Sequence, residues 1–176
     1  SVKLKPPLTR LNEHQLEAMV ELVAAHRLGH SIDPTLTPND TGDRAPLAYT
    51  ASPAAVANLM AVLRERGELP GSDRELGGSN CGLGRMTLAV DPEGNVYPCL
   101  QWRRTSLGSV RERGLFDLWQ GSAEREQVAA VSRAANDLLV REGGALARFP
   151  FCPALAEQST GDALGISDQH RLPAEA

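Results

Sequence analysis

Met86-Thr87-Leu88-Ala89-Val90-Asp91-Pro92-Glu93-Gly94-Asn95-Val96-Tyr97-Pro98-Cys99 is the stretch from which this chain is best read. Apolar residues alternate on either side of Asp-Pro-Glu-Gly-Asn, and turn-prone residues between β-formers close an antiparallel hairpin. Gly94 supplies the positive φ that such a turn needs, and Pro98 stiffens the approach to Cys99. Cys81 precedes the hairpin, with twelve residues between it and Gly94 and four more between Gly94 and Cys99. One thiol before the first strand and another at the end of the second are thereby brought close together. That is how a chain begins to cage an iron–sulfur cluster or a zinc ion.

Composition bounds the alternatives. A chain of 176 residues makes one or two small domains able to bury a core. Its net charge is -4 and no basic run stands out, so electrostatics gives no reason to expect nucleic acid. No apolar stretch approaches the length of a membrane span, and the start is not a signal peptide, so a cytoplasmic protein is expected. Three cysteines, an odd number, argue against a secreted disulfide framework and fit metal binding or free thiols in a reducing compartment.

Upstream of Cys81, the sequence alternates strand and helix signals. Val2-Lys3-Leu4-Lys5 reads as a strand. Asn12 offers an N-cap to a helix whose face carries Leu16, Met19, Val20 and Val23, with Gly29 as its stop. His30-Ser31-Ile32-Asp33-Pro34 reads as a second strand. Ser52 then caps, and Pro53 opens, a helix with Val56, Leu59, Met60 and Leu63 on one face. This alternation predicts β/α units of a parallel sheet. Two strands make no stable parallel sheet alone, so this half reads as the end of a larger one. A hydrophilic connector with Gly67, Gly71, Gly77 and Gly78 follows. Downstream of the hairpin come Leu107-Gly108-Ser109-Val110, a helix through Leu115, Leu118 and Trp119, and another from Ser122 to about Glu142 that Gly143-Gly144 stops. From Asp162 onward there is no periodic pattern, and a mobile tail is expected.

Cys81…Gly94…Cys99, with Leu107-Gly108-Ser109-Val110 and Leu115-Phe116-Asp117-Leu118-Trp119 after it, resembles the SPASM/twitch extension of radical S-adenosylmethionine enzymes. The first half is similar to the last β/α units of the partial barrel that precedes this extension. The resemblance implies an α/β fold: the end of a partial (β/α)6 barrel over residues 1–70, a linker over 71–80, a small α+β auxiliary-cluster domain with a β-hairpin and helices over 81–162, and a tail over 163–176. It implies that Cys81, Cys99 and Cys152 bind one auxiliary 4Fe–4S cluster. It also implies that S-adenosylmethionine and a second 4Fe–4S cluster belong to an N-terminal part carrying a C-x-x-x-C-x-x-C loop. That loop is absent here, so this chain alone is expected to be inactive. In the complete enzyme a 5′-deoxyadenosyl radical would abstract hydrogen from substrate, and a ribosomally made peptide to be cross-linked or oxidised is the substrate the resemblance suggests. The partners so implied are that peptide and the N-terminal barrel half, with neither nucleic acid nor membrane. At Cys152-Pro153-Ala154-Leu155 many relatives carry C-x-x-C, and Leu155 cannot ligate iron, so three cysteines remain for one cluster.

Thiolate suits this role because iron and sulfide are soft and the sulfur's charge offsets that of the metal. Three thiolates leave one iron of four open to Asp, Glu, His, water or substrate, and Glu157 and Asp162 are the nearest acidic residues. Other readings stay open. Free cysteines are often small buried hydrophobes. The alternative function is a non-catalytic zinc- or iron–sulfur-binding interaction module, and a Cys₃His zinc site in it would draw on His14, His26, His30 or His170, none of which lies beside a cysteine in zinc spacing. Trp102, Trp119, Phe149 and Phe151 read as core and cluster-shielding residues, His26 and His30 as caps at a helix C-terminus, and Arg103-Arg104 as a solvated pair.

Overall fold

Lys3–Leu4 (β1) and Gly29–His30 (β2) pair in parallel, Lys3 opposite Gly29 and Leu4 opposite His30. The computed structural model describes residues 2–39, 43–69, 74–144, 146–148, 151–168 and 170–171. Among these, the chain forms two units, residues 1–71 with 168–176, and residues 72–167.

In the first unit, Leu16–Ala25 (α1) crosses between the two parallel strands, and Pro53–Glu65 (α2) follows them. Pairing continues past the strands as single bridges, Pro7 to Asp33 in parallel and Thr9 to Thr50 antiparallel. The helix faces read from spacing are the ones buried: Leu16, Val20 and Val23 from α1, and Val56, Leu59 and Met60 from α2, with Leu8 and Ile32 among the strand-side residues. Ser52 caps α2 as its position predicts, its Oγ accepting from Ala55 N at 3.2 Å.

Two expectations in this unit need correction. Asn12 does not cap a helix: its Oδ1 accepts from Thr9 N at 2.8 Å and from Thr9 Oγ1, and its Nδ2 donates to Pro7 O at 2.9 Å. An Asn side chain that turns back on its own loop is unavailable to the next one, so the chain enters α1 through a short 3-10 turn, Glu13–Gln15, without a side-chain cap. Gly29 does not terminate α1 either. The left-handed residue is Arg27, at φ 51°, and Gly29 already belongs to β2. Between β2 and α2, residues 40–42 lie outside the described residues.

In the second unit, Ala89–Val90 (β3), Asn95–Tyr97 (β4) and Gly108–Ser109 (β5) make an antiparallel sheet in the order β3-β4-β5. Ala89 faces Tyr97 and Val90 faces Val96 across the predicted hairpin. Its turn is pinned by Asp91, whose Oδ1 accepts from Asn95 N at 2.8 Å, and Gly94 adopts φ 93° as the turn demands. Leu115–Gln120 (α3) lays Leu118 on Val96 and Leu107.

Ala123–Glu142 (α4) is the longest element, capped by Ser122 Oγ, which accepts from Arg125 N at 3.1 Å, and closed by Gly143 at φ 64°. Pro153–Thr160 (α5) starts directly after Cys152. Residues 70–73 of the connector lie outside the described residues, and residues 74–80 are bonded into this unit. Arg74 Nε donates to Ala147 O at 2.8 Å, and Gly77 N to Asp137 Oδ1 at 2.8 Å. Beyond α5, Leu164 and Ile166 pack against Ala135, Leu139, Phe151 and Ala156, while residues 169 and 172–176 of the expected tail lie outside the described residues. No helix among the described residues is long and apolar enough to cross a membrane.

Candidate metal centre

All three cysteines are free thiols, and each arrives on a different segment. Cys81 ends the connector, Cys99 closes the hairpin and Cys152 occupies the N-cap position of α5. Cys99 and Cys152 pack against one apolar cluster of Leu83, Trp102, Val128 and Ala154. Cys81 is exposed.

The three are electrostatic neighbours. Burial pushes the Cys152 thiol's pKa up, the backbone N–H groups of Leu155 and Ala154 pull it down, and negative charge on Cys81 and Cys99 pushes it up again. Neither N–H closes a formal cap bond to the sulfur. The helix N-terminus still favours a thiolate there, because unpaired N–H groups point along the axis toward it. Arg74 is felt at the other side. Burial lowers its pKa, and the negative charge of a Cys81 thiolate opposes that shift.

Hydrogen bonds across long stretches of sequence set the segments against one another. Ser132, fully buried in α4, holds Cys81: its Oγ accepts from Cys81 N at 3.1 Å, donates to Cys81 O at 3.0 Å and lies 3.7 Å from Cys81 Sγ. Asn80 ties the Cys81 side to the Cys152 side. Its N donates to Ser132 O at 3.1 Å and its Nδ2 to Phe151 O at 2.6 Å, while its Oδ1 accepts from Arg74 Nη1 at 2.9 Å. Thr87 ties the Cys81 side to the Cys99 side, its Oγ1 donating to Gly82 O at 3.0 Å and to Pro98 O at 3.1 Å. Trp102 N donates to Cys99 O at 3.2 Å, and Trp102 belongs to the buried cluster that Cys99 packs against.

Several other side chains singled out in the sequence are engaged elsewhere. Glu157 is ion-paired with Arg104, whose side chain stays exposed to solvent, and Arg103 lies half-buried over the Tyr97 ring at 4.3 Å. Asp162 Oδ1 accepts from Leu164 N at 2.9 Å. His30 pairs with Glu68 at 2.9 Å, whereas the backbone of His26 closes α1. Residues 72–167 contain no histidine. Trp102 and Phe151 are buried and Trp119 is half-buried, while Phe149 lies outside the described residues.

Among the described residues, no three His, Cys, Asp or Glu side chains are grouped so as to hold one metal ion. Single zinc ligands must converge to about 2.3 Å from one point. A cluster places each thiolate on a different iron and asks only that the sulfurs border a common space. Three soft thiol donors, two of them on an apolar floor, fit such a group.

Ser132, Asn80 and Thr87 carried no signal in the sequence as site residues. The polar residue Ser132 within the helical stretch that carries Val128, Ala129, Ala135 and Leu139 was the one available hint.

A family model described as SPASM, an iron–sulfur cluster-binding domain, matches residues 81–142. This likeness indicates iron–sulfur binding and supports a protein of the SPASM-containing radical S-adenosylmethionine type. The match takes in Cys81 and Cys99 and stops before Cys152. No curated protein matches the chain.

Proposed function

We propose that Cys81, Cys99 and Cys152 hold one auxiliary 4Fe–4S cluster in the C-terminal part of a radical S-adenosylmethionine enzyme, one that cross-links or oxidises a ribosomally made peptide. The observation that carries this reading is that three separate segments deliver three free thiols, with Cys81 and Cys99 near enough to act on Cys152 and themselves lying in a stretch similar to iron–sulfur domains. When bound, such a cluster supplies an electron acceptor or an iron at which a substrate is anchored. The chain's own contribution is to present the donors and to control what reaches them. Leu83, Trp102, Val128 and Ala154 keep water from the Cys99 and Cys152 side, and the backbone N–H groups of Ala154 and Leu155 favour a thiolate at Cys152. Asn80, Thr87 and Ser132 hold the three segments in register without themselves being ligands. The engagement of Glu157 by Arg104 and of Asp162 by Leu164 N supports a fourth iron that takes no protein carboxylate.

Anaerobic reconstitution tests the ligand set. The protein should take up about four irons and four sulfides per chain, with a broad charge-transfer absorption. Replacing any one of Cys81, Cys99 or Cys152 by Ala should abolish stable uptake. One zinc per chain in place of iron, displaced by the same substitutions, would overturn the proposal in favour of a zinc module.

A further inference from the structure

We infer that Ser132 is a positioning residue for the iron bound at Cys81, its hydroxyl donating to the Cys81 thiolate and so raising the reduction potential of the centre. This rests on the assignment of Cys81 as a ligand made above.

Ser132 has one hydroxyl proton and two acceptors on the same cysteine, the carbonyl at 3.0 Å and the sulfur at 3.7 Å. Against a neutral thiol the carbonyl is the better acceptor. Against a metal-bound thiolate the balance changes, because a hydrogen bond to a charged acceptor is roughly twice as strong as one between neutral groups. A rotation about the Cβ–Oγ bond carries the proton from oxygen to sulfur. Cys81 N keeps donating into the Ser132 oxygen throughout, at 3.1 Å, so the hydroxyl remains anchored. Ser132 is 0% exposed, so the donor side of this hydrogen bond is shielded from water.

Reduction adds negative charge to the cluster and its sulfurs. A donor aimed at one of those sulfurs stabilises the reduced form more than the oxidised form, which moves the potential upward. Arg74 adds to the same side, since its guanidinium is bonded to Asn80 immediately before Cys81. Cys99 and Cys152 meet the apolar cluster instead. Cys152 has the backbone N–H groups of Ala154 and Leu155 beside it, so the hydroxyl donor is particular to the Cys81 corner.

The test compares reconstituted unaltered protein with Ser132→Ala and Ser132→Thr, measuring iron content, circular dichroism and then potential by dye-mediated titration. Compared per loaded cluster, Ser132→Ala should show a more negative potential, and Ser132→Thr, which retains the hydroxyl, should stay near the unaltered value. A folded, fully loaded Ser132→Ala protein with unchanged potential overturns the inference. Absence of iron from the unaltered protein overturns the ligand assignment instead, and the iron count tells the two failures apart. Should Ser132→Ala not fold, resonance Raman spectra of the unaltered protein in H₂O and D₂O decide. An isotope shift of the terminal iron–sulfur stretch is expected, and none would overturn the inference.

Discussion

The Cys152 thiol departs from an ordinary one. Burial is the largest influence on it and disfavours the charged form, the N–H groups at the start of α5 partly offset this, and the charges of Cys81 and Cys99 reinforce it. The folded metal-free chain therefore keeps the Cys152 proton to a higher pH than the unfolded chain, whose thiol titrates near about 8.5. The stability this gives is full below the unfolded value and is lost as pH rises through the folded one. Alkylation reads the same shift directly, since the thiolate is the nucleophile. In metal-free protein, iodoacetamide should modify exposed Cys81 first and Cys152 last, and the gap should narrow as pH rises above the ordinary thiol range. Mass spectrometry of timed samples checks the order, and equal rates at neutral pH would contradict it.

At the scale of elements, α4 is the spine of the site. Ser132 and Asn136 lie one turn apart, as do Arg125 and Ala129, and residues three or four apart share a helix face. Asn136 Nδ2 holds Glu75 O at 2.7 Å, Ser132 holds Cys81, and Arg125 Nη1 donates to Gly84 O at 3.2 Å. The segment from Glu75 to Gly84 thus runs antiparallel along one face of the helix, with Cys81 set opposite Ser132. Gly84 is where this contact is closest. It sits at φ 67°, and a Cβ there would lie 2.8 Å from Ala129 N and 2.8 Å from Arg125 O, both backbone atoms that cannot yield cheaply. Gly84→Ala should cost about 2–4 kcal/mol from the combined clash and left-handed strain. Denaturant unfolding of the metal-free protein measures this, and a cost below about 0.5 kcal/mol, the range of neutral surface changes, would refute the packing argument.

Over the whole molecule, what could be read from the sequence was local. The hairpin, the Ser52 cap, the start of α4 at Ser122 and the Gly143 stop depend on residues within a few positions of one another, so propensity and spacing express them. Asn12 misled because its side chain had a nearer partner in Thr9, and capping residues serve turns as readily as helices. The bonds that assemble the site, Asn80 to Phe151 and Ser132 to Cys81, join residues separated by 71 and 51 positions, and no periodicity announces such partners. Those separations bear on the life history of the chain as well as on its final form. A ribosome adds about 5–20 residues per second, so several seconds pass between the emergence of Cys99 and that of Cys152. During that interval the hairpin and α4 can form with two thiols presented and the third not yet made. Cluster loading is then a late event in the making of the protein, and a nascent chain stalled within α4 offers a binding half-site at most. A chain ended after residue 144 should accordingly keep helical circular dichroism but retain well under one equivalent of cluster on anaerobic reconstitution. A full, stable load on that shortened chain would show that Cys152 is dispensable.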